Sequence, residues 1–145
     1  MQPADPQALQ AEALAFLQIH LRSLADWPPG LLLPWFTWHW RNGGVGIVRH
    51  QGRVRAVAVA RCVASIAEAQ EHAYAHHEDP ESGRILWCDQ LASEHPLGLS
   101  ILLAQARLRF GPRATVAGDV FKRPGELRML PWSRVEKLLH HHGLT

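Results

Sequence analysis

The segment from residue 84 to residue 120 constrains the fold most, because its pattern changes from a strand to a helix and back to a strand. Residues 84–92 form a short apolar run typical of a buried strand. Residues 99–110 carry apolar side chains at helical spacing, and Gly111 followed by Pro112 ends that helix in the usual order. Residues 114–120 predict the next strand. A chain with this unit builds a sheet that helices cover.

An amphipathic helix is predicted at the start of the chain. Asp5 can cap it, with Pro6 in the first helical position. Its apolar stripe comprises Leu9, Ala13, Phe16, Leu17, His20, Leu21 and Leu24. The sequence Trp-Pro-Pro-Gly at 27–30 ends the helix. The apolar segment 31–40 that follows fits either a helix or a strand, although Pro34 argues against a central strand.

The other segments add a hairpin, two helices and a last strand. The patterns predict strands over 45–50, 53–63 and 126–130, and helices over about 66–77 and from 133 to about 143. Gln51-Gly52 is the hairpin turn, and 65–68 and 133–136 have the Ser-x-x-Glu spacing of capping boxes. The sequence therefore predicts an α+β fold with a mixed sheet flanked by helices, and one domain over residues 1–145.

The composition is that of a globular protein and favours a cytoplasmic location. Apolar residues make up 47% of the chain and charged residues 19%, which argues against disorder. The net charge of +2 requires neither a nucleic-acid nor a membrane partner. The first residues lack the pattern of a signal peptide, and there is no apolar run long enough for a membrane span. Two cysteines are too few for a disulfide framework, so a reducing compartment is expected.

Residues 84–120 resemble the core of the GNAT-type acyltransferase fold. In that fold a strand, a loop and a helix bind the pyrophosphate of an acyl donor. A helix N-terminus suits this role because it offers unpaired N–H groups and the positive end of the helix dipole. The resemblance implies a GNAT-like, mainly antiparallel sheet. It also implies that the donor, acyl-CoA or an acyl carrier protein, lies at His95, Leu97, Gly98 and Leu99.

Residues 20–130 further resemble the toxin-activating lysine acyltransferases, a GNAT-like family that moves an acyl group from acyl carrier protein to a lysine. Trp27-Pro28 precedes an apolar stretch and a hairpin, as in the family. Ser82-Gly83 leads into a strand with Trp87 followed by Asp89, where the family has a tryptophan and an essential aspartate. The family's catalytic histidine corresponds to Leu24 here, and His20 lies one helical turn earlier.

Three residues are candidates for acid–base chemistry: Asp89, His20 and His39. Asp89 lies late in a strand that reads as buried, where a carboxylate needs a partner. It could orient a general base, or it could form an ion pair with an arginine that has only a structural role. His20 is on the apolar face of the first helix and could equally be a core residue. His39 lies among Trp35, Phe36, Trp38 and Trp40, which would make it either a neutral base or part of a hydrophobic plug.

Other polar and reactive residues have simpler interpretations. Cys88 is expected to be an inert buried thiol, facing away from Asp89. No metal site is expected: His72 and His76 lie one helical turn apart without a third ligand, and His140-His141-His142 would bind a metal only adventitiously. Arg53, Arg55 and Arg61 share a strand face, and this face is either a solvated surface or a phosphate-binding strip.

These observations predict an acyltransferase that moves an acyl group from a thioester to a protein lysine or small amine. Two alternatives stay open. The first is a catalytically inactive GNAT-like module for binding or homodimerisation, which Leu24 and the tryptophan cluster favour. The second is a nucleic-acid adaptor that uses the arginine-bearing hairpin.

Overall fold

The computed structural model describes residues 5–71, 81–121, 123 and 125–144. In chain order the elements are α1 (Pro6–His20), α2 (Arg22–Ala25), α3 (Pro29–Arg41), β1 (Val45–His50), β2 (Arg53–Val63), α4 (Ile66–Glu71), β3 (Ile85–Ser93), α5 (Gly98–Phe110), β4 (Thr115–Gly118), β5 (Arg128–Pro131) and α6 (Trp132–His141). In this part of the chain five strands form one sheet, in the order β1-β2-β3-β4-β5. β3 and β4 pair in parallel, and the other neighbours pair antiparallel. The predicted α+β fold with a mixed sheet is confirmed.

The first helix begins as predicted and ends earlier than predicted. Asp5 caps α1 by accepting a hydrogen bond from the Gln7 N–H. Leu21 is extended, with φ −121° and ψ 102°, so the predicted continuous stripe to Leu24 is wrong. The break starts the short helix α2, in which Leu24 is fully buried.

The ambiguous segment 31–40 is helical, as part of α3. Its buried residues Leu32, Trp35, Phe36 and His39 recur at the spacing of one helical face. Pro34 lies one turn inside the helix, where its missing N–H removes a single bond to the first turn. The apolar face outweighs this loss, so the segment folds as a helix.

The hairpin between β1 and β2 is confirmed. Gln51 and Gly52 have φ values of 53° and 76°. Positive φ at both central residues is what a type I′ turn requires, and this turn matches the twist of the flanking strands.

Helices cover both faces of the sheet. On one face, α1 and α3 pack with Val57 and Val59 of β2. On the other face, α5 and α6 pack with Leu86 of β3 and Val116 of β4. The sheet therefore has a core on each side, and the residues between these cores are deeply buried.

One of the two predicted capping boxes is confirmed. The Glu68 N–H donates to Ser65 Oγ at 3.1 Å, and Glu68 Oε2 accepts from the Ala64 N–H at 2.9 Å. The predicted extension of this helix over 72–77 lies outside the described residues, as does the pair His72 and His76.

The second predicted capping box is wrong. β5 runs directly into α6, so Pro131 is the N-cap and Ser133 lies inside the helix. Glu136 instead accepts from Trp132 Nε1 at 2.9 Å and from Arg107 Nε at 2.6 Å, which ties α6 to α5.

Candidate active site

The two parallel strands separate halfway along β3. Their pairing runs from Ile85 opposite Thr115 to Cys88 opposite Gly118. β3 then continues to Ser93, and among the residues that the structure describes no strand pairs with this part of it on the β4 side. Ligands of open α/β sheets bind in crevices at the carboxyl ends of parallel strands, where neighbouring connections diverge. This gap is therefore the candidate active site.

Asp89 lies where the gap begins, at a β-bulge. On the other side of β3, Val59 of β2 pairs with Gln90 and Ala60 pairs with Cys88, which leaves Asp89 without a partner in β2. A bulge re-aims the side chain of its extra residue, and bulges are common beside active sites. The side chain of Asp89 lies on the same face of the sheet as those of Trp87 and Arg61, so the bulge changes the alternation of the strand only after Asp89.

The carboxylate of Asp89 is surrounded by three buried side chains. Arg61 Nε donates to Asp89 Oδ2 at 3.1 Å, and His39 Nε2 lies 3.8 Å from the same oxygen. The Trp87 side chain donates a further hydrogen bond to this carboxylate. Residue exposure is only 1% for Arg61, 1% for His39 and 7% for Asp89.

Burial dominates the ionisation of Asp89. It raises the pKa of Asp89 from 3.8 to about 7, against the charge and hydrogen bond of Arg61 and the hydrogen bond of Trp87, which lower this pKa. The nearby charge of Asp119 adds to the rise. A carboxyl group with such a pKa exchanges a proton at neutral pH, which suits a general acid or base.

His39 reaches the sheet because of a glycine in the neighbouring loop. A Cβ atom at Gly44 would lie 2.6 Å from Ala60 O and 3.3 Å from His39 Nδ1. The rings of Trp35 and Trp38 lie 5.3 Å and 5.0 Å from the His39 ring, which agrees with the aromatic surroundings expected from the sequence. The structure thus brings two of the three predicted acid–base residues, His39 and Asp89, together.

His20 lies elsewhere. Its Nε2 is 2.8 Å from Glu94 Oε1, and Arg55 Nε lies 3.2 Å from the other oxygen of Glu94. Glu94 follows the end of β3, about 16 Å along the strand from Asp89 at the usual rise per residue. His20 and Asp89 are therefore bound to different partners.

The predicted donor loop forms the start of α5, beside the gap. His95 Nδ1 accepts the Leu97 N–H at 3.0 Å, and the Gly98 N–H donates to His95 O at 3.0 Å. A Cβ at Gly98 would overlap Ser93 Oγ, so only glycine allows this close approach. The N–H groups of Leu99 and Ser100 lie in the first turn, where no intrahelical acceptor exists.

Arg61 is a site residue that the sequence pattern places wrongly. The pattern predicts a common surface with Arg53 and Arg55, but Arg61 is buried and bound to Asp89 and to Ala69 O. The sequence carried a signal for this, since Arg61 shares its strand face with Val59 and with other buried valines.

Cys88 behaves as predicted. It is buried beside Asp89, and burial raises the pKa of the Cys88 thiol far above its ordinary value. Its Sγ contacts Gln90 O at 3.3 Å. The thiol therefore stays protonated and is unsuited to nucleophilic attack.

Comparison with known proteins gives a similarity to a solved structure. No family model matches the chain, and no curated protein matches it either. Among solved structures, the chain is similar to the GNAT-like decarboxylase GphF in complex with isobutyryl-CoA, with 26% identity and a TM-score of 0.54. This chain has a GNAT-like fold. The match covers 81% of this chain and 63% of the other, so the chain spans less than two thirds of that protein's length.

The comparison supports the broader of the two resemblances seen in the sequence. The narrower one, to the toxin-activating lysine acyltransferases, remains a prediction. Among the described residues no helix is long and apolar enough to cross a membrane. In the same part of the chain no three metal-ligating side chains gather into a site.

Proposed function

We propose that this GNAT-like chain binds an acyl thioester and transfers its acyl group to an amine, with Asp89 and His39 as the acid–base pair. The observation that carries the proposal is the position of Asp89: its carboxyl group, with a pKa of about 7, lies where β3 and β4 separate. The similarity to a GNAT-like decarboxylase that binds isobutyryl-CoA supports acyl-CoA as the donor. An acyl carrier protein presents the same thioester arm and is the other candidate donor.

The donor would lie along the gap between the strands. The backbone groups of β3 beyond Cys88 that face away from β2 have no partner on β4, so apart from Gln90 O, which accepts from Cys88 Sγ, they are available to the amide groups of a pantetheine arm. The first turn of α5, which begins at Gly98, presents the N–H groups of Leu99 and Ser100 and the positive end of the helix dipole to the donor's phosphates. His95 and Leu97 hold this turn in shape through their own hydrogen bond.

The reaction would proceed by addition and elimination at the thioester carbonyl. An amine is mostly protonated at neutral pH, so Asp89, assisted by His39, removes a proton from it. The amine nitrogen then forms a bond to the carbonyl carbon and releases its second proton to water, and the carbon–sulfur bond breaks. The thiolate leaves and takes the proton back from the Asp89–His39 pair. Arg61 acts as a positioning residue, because it holds Asp89 Oδ2.

The test is a turnover assay with isobutyryl-CoA or acetyl-CoA and a lysine-containing peptide. We expect release of free CoA that depends on the peptide, and a loss of about 100-fold or more in kcat for Asp89→Asn and His39→Gln. His140→Gln, an exposed change on α6, is the matched control. Loss of activity in His20→Gln with normal activity in His39→Gln would reassign the base. Binding of acyl-CoA without turnover would instead support the inactive binding module.

Decarboxylation of the acyl group is a second candidate, favoured by the similarity to GphF. A malonyl-type thioester would lose carbon dioxide by cleavage of a carbon–carbon bond, and the electron pair would remain on the α-carbon as an enolate. Asp89 would be suited to protonate this carbon, because its raised pKa keeps part of it protonated at neutral pH. Malonyl-CoA and methylmalonyl-CoA in the same assay separate the two reactions: decarboxylation releases carbon dioxide and keeps the thioester intact.

A further inference from the structure

The gap between β3 and β4 begins with a carboxylate on each strand. Cys88 of β3 and Gly118 of β4 form the last pair, so the next residues along the two chains are Asp89 and Asp119. Neighbouring strands of a sheet lie about 4.8 Å apart, which places these two residues on opposite sides of the opening. The acid–base pair of the proposed function uses Asp89 and leaves Asp119 without a role.

The two aspartates also continue the same face of the sheet. Trp87 and Ala117 are opposite each other in the register, and both pack in one core cluster with Ala69 of α4. Side chains alternate between the faces of a strand, so the positions two residues further on, 89 and 119, return to this face. The charge of Asp119 accordingly contributes to the raised pKa of Asp89.

The backbone of Asp119 is held in place, and its carboxylate is unpaired. Asp119 O accepts the Gly125 N–H at 2.6 Å, and Phe121 packs so closely on Gly118 that a Cβ there would lie 2.9 Å from Phe121 Cε2. Within the part of the chain that the structure describes, no hydrogen bond or ion pair joins the Asp119 carboxylate to another residue. Asp119 is half-buried and Asp89 is 7% exposed, so Asp119 is the more accessible of the two carboxylates.

This arrangement favours a cation in the opening. Two negative charges on either side of one gap repel each other, and a positive charge between them removes the repulsion. An ammonium group suits the place, because it is compact, positively charged and donates three hydrogen bonds.

The proposed function brings the thioester to the same place. In it the donor's phosphates lie at the first turn of α5, which follows the end of β3 after a short loop. The arm then runs back along β3, so its thioester end lies at the start of the gap. An amine held at Asp119 is therefore next to the thioester carbonyl and next to Asp89.

We propose that Asp119 binds the acceptor in its protonated, ammonium form and holds it beside Asp89, so that the acceptor is a cationic alkyl amine. This inference rests on the proposed function, since it names the class of acceptor for that reaction. Asp119 stays ionised throughout and takes no proton. Asp89 removes the proton that makes the nitrogen nucleophilic, and the bonds then form and break as in the proposed function.

The test compares two acceptors of the same shape, propylamine and O-ethylhydroxylamine, of which only propylamine is charged at neutral pH. Release of CoA from isobutyryl-CoA is measured with each. Asp119→Asn should lower kcat/KM for propylamine about tenfold or more, mainly through a higher KM, and change kcat/KM for O-ethylhydroxylamine by less than about threefold. Asp119→Glu keeps the charge and should recover part of the loss. Asp26→Asn, an exposed change, is the matched control and should leave both acceptors unaffected.

The outcomes separate this inference from the proposed function. Unchanged use of propylamine by Asp119→Asn overturns the role of Asp119. An equal loss with both acceptors also overturns it, because Asp119 would then act through the ionisation of Asp89 rather than on the acceptor. Both results leave the proposed function in place, since the wild type still transfers the acyl group. If the wild type releases no CoA with either amine or with the lysine-containing peptide, the proposed function fails and the inference fails with it.

Discussion

Asp89 is subject to two opposing influences. Burial favours its neutral form, and the guanidinium of Arg61 favours its charged form. A buried arginine without a carboxylate is strongly unfavourable, so Arg61 needs a partner on β3 in any case. The pair therefore supplies a carboxyl group with a pKa in the physiological range.

The pH dependence of stability should report on Asp89. Its pKa is about 7 in the fold and about 3.8 when unfolded, so between these values the folded protein holds a proton that the unfolded chain releases. The proton that Asp89 retains in the fold therefore makes the free energy of unfolding highest below about pH 4. This stabilisation is lost as the pH rises toward 7 and above. The loss amounts to about 4 kcal/mol at most.

Urea unfolding of the wild type and of Asp89→Asn at several pH values between 4 and 8 checks this expectation. The wild type should lose stability relative to the variant as the pH rises through this window. Asp26→Asn, an exposed change, should follow the wild type. Parallel curves for the wild type and Asp89→Asn would show that Asp89 ionises normally.

The outer edge of the sheet at β1 is protected by a helix. Ile47 of β1 donates its N–H to Gln105 Oε1 at 3.0 Å, and its carbonyl oxygen accepts from Gln105 Nε2 at 2.7 Å. The Gln105 side chain on α5 thus takes the place that a neighbouring strand would occupy. Unpaired edge strands are templates for association with other chains, and this contact covers part of that edge.

Removing this contact should weaken the docking of α5 on β1. Gln105→Ala loses two hydrogen bonds and leaves partly buried backbone groups unpaired, so we expect a loss of about 1–3 kcal/mol in the free energy of unfolding. Amide exchange at Ile47 should accelerate as well. Gln7→Ala on the exposed side of α1 is the control, and equal stabilities of the two variants would contradict this role of Gln105.

Much of the positive charge of the molecule is paired with nearby carboxylates. Several arginines are bound to carboxylates: Arg55 to Glu94, Arg61 to Asp89, Arg107 to Glu136 and Arg109 to Glu81. Arg61 is buried, so the hairpin lacks the continuous basic face that the nucleic-acid alternative needs. With a net charge of only +2, the molecule has no large excess of charge to attract a polyanion.

The chain should accordingly bind nucleic acid weakly, and its affinity should change little with salt concentration. In fluorescence anisotropy with a short DNA duplex, we expect no saturable binding at micromolar protein at 150 mM salt. The logarithm of the affinity, plotted against the logarithm of the salt concentration between 50 and 150 mM, should have a slope that corresponds to fewer than about three released counterions. Tight binding with a steep slope would return the adaptor hypothesis to first place. Arg53→Gln would then be the first variant to examine.

Most of the element order could be predicted from the sequence, because turns, caps and periodicity are local. The I′ turn at Gln51-Gly52, the cap at Asp5 and the stop at Gly111 all follow from backbone preferences of a few residues. Two predictions failed, the helix across Leu21 and the capping box at Ser133, because the break at Leu21 and the direct passage of β5 into α6 do not follow from local preferences.

Single residues of the candidate site could be predicted as well, since a carboxylate in an apolar strand and a histidine among tryptophans are unusual in themselves. Asp89 and His39 were found this way, 50 positions apart in the sequence. Their proximity, the inclusion of Arg61 and the separation of His20 were decided by the tertiary structure. Strand register, a bulge and the crossing of α3 over the sheet set those distances, and these arise from contacts between segments far apart in the chain, which local preferences do not encode.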